Sequence, residues 1–219
     1  MAHIAVESID KIKIMADLDR LAKIHSRLNT LAFGLVNATT PEESANYLSK
    51  AELLLIAEFD DEPVGFGTYQ LIHHNDMRII YQSRGIVPEA QNLGIGRAFP
   101  QIASEELRAT HLMAKAQNPI SIASSIRSEL LDAVFPIDSY YDSDSEMTTV
   151  LIETVEARGK SGLVNLSNGL VKKSYKDGKL GAYNPHQTNH TVNRVISRLT
   201  EIGLNANEED AVYYGGKLK

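Results

Sequence analysis

The apolar residues of this chain follow two spacings, one typical of helices and one typical of strands. Near the start, one apolar stripe recurs at helical intervals, and its members are Ile14, Leu18, Leu21, His25 and Leu28. This spacing predicts an amphipathic helix that begins near Ser8 or Asp10. His25 lies on the stripe, and we therefore expect it to be a core residue with a satisfied ring nitrogen.

Strand-like runs occur on both sides of the helical segments. They cover residues 1–9, Leu53–Phe59, Val64–Ile72, Met77–Arg84, His111–Gln117, parts of 163–175, and Ala211–Tyr214. Further helices are predicted from about Pro41 to Lys50, after Gly94 or Ile95, from Ile120 to Leu131, over residues 145–158, and from about Val192 to Gly203. Strands and helices mixed in this order predict an α/β or α+β fold with a mixed sheet.

The composition narrows the class of protein. The chain has 219 residues, of which 43% are hydrophobic, and it has a net charge of −6 and no cysteine. We expect a single domain over residues 1–219 and no general nucleic-acid binding, which favours a basic surface. No apolar run reaches the roughly 18 residues of a membrane span. Together with the absence of a signal-peptide pattern, this predicts a cytoplasmic protein without a membrane partner. A homodimer stays open.

One loop combines the features of an anion-binding site. The segment Gly85–Arg97 follows an apolar strand and leads into an amphipathic helix, and it contains Gly94 and Gly96. Glycines let the backbone approach a bulky group closely, and a helix start presents free N–H groups. This arrangement is suited to a phosphate or pyrophosphate. Pro100 fits a helix that begins near Gly94, because it then falls within or just past the first turn.

Three common motifs do not match. A dinucleotide fingerprint requires a third glycine or alanine where this chain has Phe99. Gly159-Lys160-Ser161 resembles the end of a P-loop, but Thr154 occupies the position of its first glycine. The chain has no G-x-S-x-G element of the serine hydrolases.

The loop instead resembles the Q/R-x-x-G-x-G/A signature of the GNAT family of N-acetyltransferases. Gln91-Asn92-Leu93-Gly94-Ile95-Gly96 carries the signature, and the strand order around it agrees over about Leu53–Arg127. The resemblance implies a mixed, mostly antiparallel central sheet flanked by helices. The best-matching core is about residues 50–130, and strands and a helix from 160–219 complete the sheet.

The resemblance also implies acetyl-CoA as co-substrate and a small-molecule amine as acceptor. The amine attacks the thioester directly in a ternary complex. Backbone at Gly85, Ile86 and Val87 is expected to pair with the pantetheine arm. The other residues expected to bind the cofactor are Gln91, Asn92, Leu93, Gly94, Ile95, Gly96, Arg97 and Asn118.

The chain differs from many members of the family at the position of the expected catalytic acid. Many members have a tyrosine seven residues after the asparagine that corresponds to Asn118, and this chain has Ser125 there. A serine hydroxyl is a poorer proton donor than a phenol, whose pKa is about 10. Ser125, Tyr81 and Glu89 are our catalytic candidates, with Tyr69 as a further phenol. Tyrosines on central strands are more often core aromatics, and an acid in a surface turn such as Glu89 is more often simply solvated.

Two other groups of polar residues have simpler explanations. Tyr140, Tyr141 and three acids, Asp138, Asp142 and Asp144, lie in a long loop that could cover a substrate or attract a cationic amine. For the acids, a solvated acidic loop is the better explanation. His73 and His74 point to opposite faces of a strand, and His186 and His190 have no third ligand. We therefore predict no metal site.

Two functions remain in view. The first is an acetyl-CoA-dependent N-acetyltransferase. The second is a catalytically silent acetyl-CoA-binding sensor or regulatory module, which the replacement of the family tyrosine by Ser125 keeps open. Residues 131–219 contain no recognisable motif, although substrate selection is expected there.

Overall fold

The computed structural model describes residues 4–34, 38–139, 141–160, 162–174, 189–205 and 209–219. The chain divides into two compact units. The first unit contains Met1–Leu71 and Gln82–Leu107, and the second contains Ile72–Tyr81 and Arg108–Lys219.

Helices and strands occupy most of the described residues. The helices are α1 Lys11–Ala16, α2 Leu18–Phe33, α3 Pro41–Leu48, α4 Ile95–Glu106, α5 Pro119–Arg127, α6 Glu146–Ala157 and α7 His190–Glu201. The strands are β1 Ile4–Asp10, β2 Leu53–Phe59, β3 Glu62–His74, β4 Met77–Ile86, β5 His111–Ala116, β6 Val164–Asn165, β7 Leu170–Val171 and β8 Ala211–Lys217.

The strands form an eight-stranded sheet in the order β1-β2-β3-β4-β5-β8-β7-β6. The pairs β1–β2, β2–β3, β5–β8, β6–β7 and β7–β8 are antiparallel. The predicted fold class, a mixed and mostly antiparallel sheet with flanking helices, is confirmed.

The first unit places α4 against β3 through one close contact. Phe99 of α4 is fully buried. A Cβ atom added at Gly67 of β3 would lie 3.0 Å from the Phe99 ring and 3.1 Å from the Tyr69 ring. Any larger residue at position 67 would therefore push these rings away. This packing fixes the start of α4, and with it the glycine loop.

The second unit has its own apolar core on one face of β5 and β8. Met113 of β5 and Tyr213 of β8 pack with Tyr81 and with the buried face of α6, which consists of Met147, Val150, Leu151 and Val155. In the antiparallel register, Lys115 is opposite Tyr213 and Ala114 is opposite Tyr214. Alternate residues of these strands therefore face opposite sides of the sheet.

Three sequence-based expectations need correction. The helix predicted over Ile120–Leu131 ends at Arg127, because Glu129 has a left-handed backbone with φ 56°. The first helical segment is broken at Asp17, which separates α1 from α2. Tyr141 is a buried member of the second unit's core, and its hydroxyl donates to the Tyr213 carbonyl oxygen at 3.3 Å. It is therefore not a residue of a movable lid, and Tyr140 lies outside the described residues.

Among the helices of the described ranges, none combines the length and the apolar composition that crossing a lipid bilayer requires.

His25 is a core residue, as predicted. It is 4% exposed, its Nδ1 lies 3.0 Å from the Ser44 hydroxyl, and its ring stacks near Tyr47 and Phe66. Burial lowers the pKa of His25 to about 4. The folded state therefore holds a neutral imidazole at pH 7 and resists protonation.

We expect acid to destabilise the first unit through His25. An unfolded histidine has a pKa of about 6.5, so the unfolded state binds the proton first as the pH falls. Stability is therefore full above about pH 6.5 and is lost progressively towards pH 4, with about 2 kcal/mol lost between pH 7 and pH 5. Urea unfolding of the wild type and of His25→Gln at both pH values measures the difference. Parallel losses in the two proteins would contradict the assignment.

Candidate functional site

The glycine loop has two left-handed residues just before α4. After β4 ends at Ile86, Pro88–Ala90 form a short 3-10 helix, and an exposed segment follows at residues 91–94. Asn92 has φ 72° and Gly94 has φ 87°. Left-handed residues next to a helix start turn successive N–H groups towards one side, which creates an anion-binding concavity.

The first amides of α4 have no acceptor within the helix. The Gly94 carbonyl oxygen accepts from the amides of Arg97 and Ala98 at 3.0 and 3.1 Å. The helix geometry provides no acceptor for the preceding amides of Ile95 and Gly96. A Cβ atom added at Gly94 would meet no atom within 4 Å. The helix start is therefore able to receive an anionic group from solvent.

Arg84 forms a hydrogen bond to the first turn of α4, because Pro100 leaves an acceptor available there. Proline has no N–H, so Pro100 cannot donate to the carbonyl four residues earlier, which belongs to Gly96. That carbonyl instead accepts a hydrogen bond from Nη1 of Arg84 on β4. The predicted helix start is confirmed, and the proline inside α4 lies just past its first turn. The loop thus gains a positive charge as well as free amides.

The strand end before the loop is already partly hydrogen-bonded. The Val87 amide donates to the Val64 carbonyl oxygen at 2.9 Å, and the Val87 carbonyl accepts from the Ala90 amide at 3.0 Å. Nε2 of Gln91 donates to the Ile86 carbonyl oxygen at 3.3 Å. Val87 can therefore contribute to a ligand mainly by apolar contact, whereas Gln91 holds the loop against the strand.

Asn118 begins α5 in the second unit. Its side-chain oxygen accepts from the Ile120 amide at 2.8 Å, and Pro119 occupies the first helical position. Asparagine is a favoured N-cap, because its oxygen satisfies an amide that the helix leaves without an acceptor. Its side-chain NH₂ group is not needed for capping and is the part that could bind a ligand.

Ser125 lies on the buried side of α5, next to a phenol from another strand. Its Oγ is 3.4 Å from the Tyr214 hydroxyl oxygen and 3.3 Å from the Ser121 carbonyl oxygen. Both Ser125 and Tyr214 are buried. Tyr214 belongs to β8 and is opposite Ala114 of β5. A phenol is thus present beside the position where the sequence shows only a serine.

The other candidate residues have varied surroundings. Tyr81 is buried in the second unit's core with the Arg158 guanidinium carbon 4.2 Å from its ring centre. Glu89 is exposed on the 3-10 helix, and Tyr69 is buried in the first unit.

The acids of the long loop, Asp138, Asp142 and Asp144, have different surroundings. Asp138 accepts from the Val134 amide at 2.7 Å and forms an ion pair with Arg194, so it has a structural role. Asp142 and Asp144 are exposed.

The described ranges contain no group of three or more histidine and carboxylate side chains that could hold a metal ion. His74 instead pairs with Glu153, with 2.8 Å between Nδ1 and Oε1. His186 lies outside the described residues.

Solved structures with a similar fold were found. A GNAT superfamily phosphinothricin acetyltransferase from Sinorhizobium meliloti, in complex with AcCoA, matches with a TM-score of 0.50 and 13% identity, over 98% of this chain and 88% of that one. The chain has the fold of the GNAT acetyltransferases. This confirms the fold that the Gln91–Gly96 signature led us to expect.

Two further GNAT-type structures match less closely. A ribosomal-protein-alanine N-acetyltransferase from Brucella melitensis has 22% identity and a TM-score of 0.43, over 59% of this chain and 86% of that one. A GNAT-family acetyltransferase from Streptococcus pneumoniae has 14% identity and a TM-score of 0.44, over 66% of this chain and 92% of that one. No family model and no curated protein matches the sequence.

Two features of these sites were missed from the sequence. The anchoring of Arg84 was signalled by Pro100, which stands four residues after Gly96 and must leave that carbonyl without its helical donor. The contact of Tyr214 with Ser125 had no local signal, because it depends on the register of β5 with β8.

Proposed function

We propose that this protein transfers the acetyl group of acetyl-CoA to the amine of a small molecule. The observation that carries the proposal is the anion seat at the start of α4, formed on a GNAT fold by free amides, left-handed Gly94 and the Arg84 guanidinium. The loop follows β4, where the GNAT signature occurs in the sequence, and this position supports the proposal.

In this proposal the pyrophosphate of acetyl-CoA occupies the seat. Amides from Leu93 to Arg97 would donate to its oxygens, and Arg84 and Arg97 would supply positive charge. Gln91 and Asn92 would shape the loop. Ile86 and Val87 would line the pantetheine arm, and Asn118 would contact the cofactor through its NH₂ group. A nearby metal ion is not required for this mode of binding.

The reaction consists of one transfer. The neutral amine attacks the thioester carbonyl carbon, a C–N bond forms, and the C–S bond breaks. The nitrogen loses a proton to a base or to water, and the sulfur leaves as a thiolate that takes up a proton. Glu89 is a candidate base because it is an exposed carboxylate beside the cofactor loop.

We assign the proton donor to Tyr214, with Ser125 as its partner. A hydroxyl carries one proton, so Ser125 can donate to Tyr214 and leave the phenol proton free for the thiolate. Many members of the family have a tyrosine at the position of Ser125 on α5. In this proposal Tyr214 of β8 provides the phenol instead. Tyr81 stays a second candidate, although it lies under the Arg158 guanidinium in the core.

The activity can be tested directly. We expect the purified protein, incubated with acetyl-CoA and a panel of small amines, to release free thiol in proportion to the acetylated amine formed. Thiol detection and mass spectrometry of the product measure both quantities. Saturable acetyl-CoA binding without thiol release from any amine would instead favour the sensor function.

We expect Gly94→Ala to weaken coenzyme A binding about tenfold or more. The new methyl group would enter the open side of the seat, and the left-handed backbone would be strained. Gly203→Ala is a matched control, because Gly203 has φ 82° and equally open surroundings, at the end of α7. Calorimetry of coenzyme A binding compares the two. Equal affinities in the two variants would show that the pyrophosphate lies elsewhere.

We expect Tyr214→Phe to lower kcat about 100-fold while the Kd of coenzyme A stays unchanged, because only proton donation is lost. Tyr141→Phe is the control, since it removes a buried hydroxyl of the same unit that donates to a backbone carbonyl. Steady-state kinetics with the best amine provide the comparison. If Tyr81→Phe lowered kcat and Tyr214→Phe did not, the acid would be Tyr81.

A further inference from the structure

Gln82 of β4 has a buried amide whose hydrogen bonds the described residues do not supply. The side chain is 2% exposed, and neither its Oε1 nor its Nε2 has a hydrogen-bond partner in the described ranges. Buried amides are nearly always paired, because an amide that loses its hydration without gaining a partner raises the free energy of the folded state. Packing alone therefore does not explain why this strand carries a glutamine here.

Gln82 lies in the same unit as the anion seat and on the same face of the sheet. Arg84 is two residues further along β4, and alternate residues of a strand share a face. The Arg84 guanidinium donates to the Gly96 carbonyl oxygen in the first turn of α4. Two residues of a strand span about 7 Å. Gln82 is therefore one step back along β4 from the residue that contacts the seat.

The neighbouring strand β3 shows which element covers this face. The Thr68 hydroxyl of β3 donates to the Ser83 carbonyl oxygen at 3.3 Å, so the next residue of β3, Tyr69, lies beside Gln82. Tyr69 shares its face of β3 with Gly67. A Cβ atom added at Gly67 would lie 3.0 Å from a side chain of α4 and 3.1 Å from the Tyr69 ring. The Gln82 side chain thus belongs to the face of the sheet that α4 covers.

The two polar atoms of Gln82 limit the chemistry of a ligand that would pair with them. A carboxamide has an acceptor oxygen and a donor nitrogen, so only a group that contains both a donor and an acceptor uses both atoms. A secondary amide is such a group, whereas an ionised phosphate only accepts. The ligand must also be narrow where it meets Gln82, because so little of this side chain is exposed.

We propose that the Gln82 side chain binds an amide of the pantetheine arm of acetyl-CoA. This inference rests on the proposed function, and it assigns a cofactor-binding residue outside the glycine loop. The arm is a single narrow chain that contains secondary amides, the first of which follows the pyrophosphate after a short pantoyl link. With the pyrophosphate at the start of α4, an arm that runs back along β4 reaches the level of Gln82. Nε2 donates to the carbonyl oxygen of the arm, and Oε1 accepts from its N–H group.

The experiment compares two ligands that share the pyrophosphate and differ in the arm. Coenzyme A has the arm and ADP lacks it, and calorimetry measures the Kd of each for the wild type and three variants. Gln82→Met removes the amide at nearly constant volume, so it leaves little cavity. Gly94→Ala alters the seat itself. Gln101→Met is the control, because Gln101 is exposed on α4 and its Nε2 donates to Oε1 of Glu105 at 3.3 Å.

We expect Gln82→Met to raise the Kd of coenzyme A about tenfold and to leave the Kd of ADP unchanged. Gly94→Ala should raise both values, and Gln101→Met should raise neither. Coenzyme A binding that Gly94→Ala weakens and Gln82→Met does not would overturn the Gln82 contact and leave the proposed function intact. The absence of coenzyme A binding by the wild type would overturn both. Selective loss in Gln82→Met would support the contact even if no amine released thiol.

A thermal melt without ligand separates this contact from a structural role. We expect Gln82→Met to have the same Tm as the wild type or a higher one, because an unpaired buried amide is replaced by an apolar group of similar size. A lower Tm with equal losses of affinity for both ligands, or a failure to fold, would overturn the proposal, since the amide would then be satisfied within the fold. A fall in kcat at unchanged Kd would also overturn it, because Gln82 would then act on the thioester.

Discussion

The missing amide of Pro100 is the constraint on which the proposed cofactor site depends. A proline just past the first turn of α4 leaves the Gly96 carbonyl without its helical donor, and Arg84 of β4 takes that place. The Arg84 guanidinium donates to the Gly96 carbonyl in place of the missing Pro100 amide. This hydrogen bond links β4 to the start of α4. The Phe99 ring of α4 packs closely against Gly67 of β3, and this contact holds α4 against the sheet. These two contacts position the loop relative to β4 and β3.

The parts of the molecule that could be predicted from the sequence are those that depend on nearby residues. Gly94, Gly96 and Pro100 lie within one turn of each other, so their joint effect is visible in a short stretch. The same holds for Asn118 and Pro119 at the start of α5. Ser125 and Tyr214 are 89 positions apart, and their contact depends on the β5–β8 register, which no local pattern reveals. The sequence therefore predicted the fold and the start of α4, but not the contact of Ser125 with Tyr214.

The distribution of charge is also difficult to predict from the sequence. A net charge of −6 describes the average surface, and it is the reason why we expect no general nucleic-acid binding. It conceals a local positive charge, the Arg84 guanidinium that is hydrogen-bonded to the loop. Arg84 and Gly96 are 12 positions apart, and only the packing of α4 beside β4 brings the guanidinium and the carbonyl together. Average composition could not have located it.

His25 and Lys115 show why a shifted pKa does not by itself mark a functional group. Burial is the main cause that lowers the pKa of both side chains, to about 4 for His25 and to about 8 for Lys115. The His25 ring lies between the rings of Tyr47 and Phe66, and its Nδ1 is 3.0 Å from the Ser44 hydroxyl oxygen. The Lys115 ammonium donates to the Ser174 hydroxyl oxygen at 2.7 Å. Packing therefore accounts for the direction of both shifts, and a functional role needs geometry beyond the shift itself.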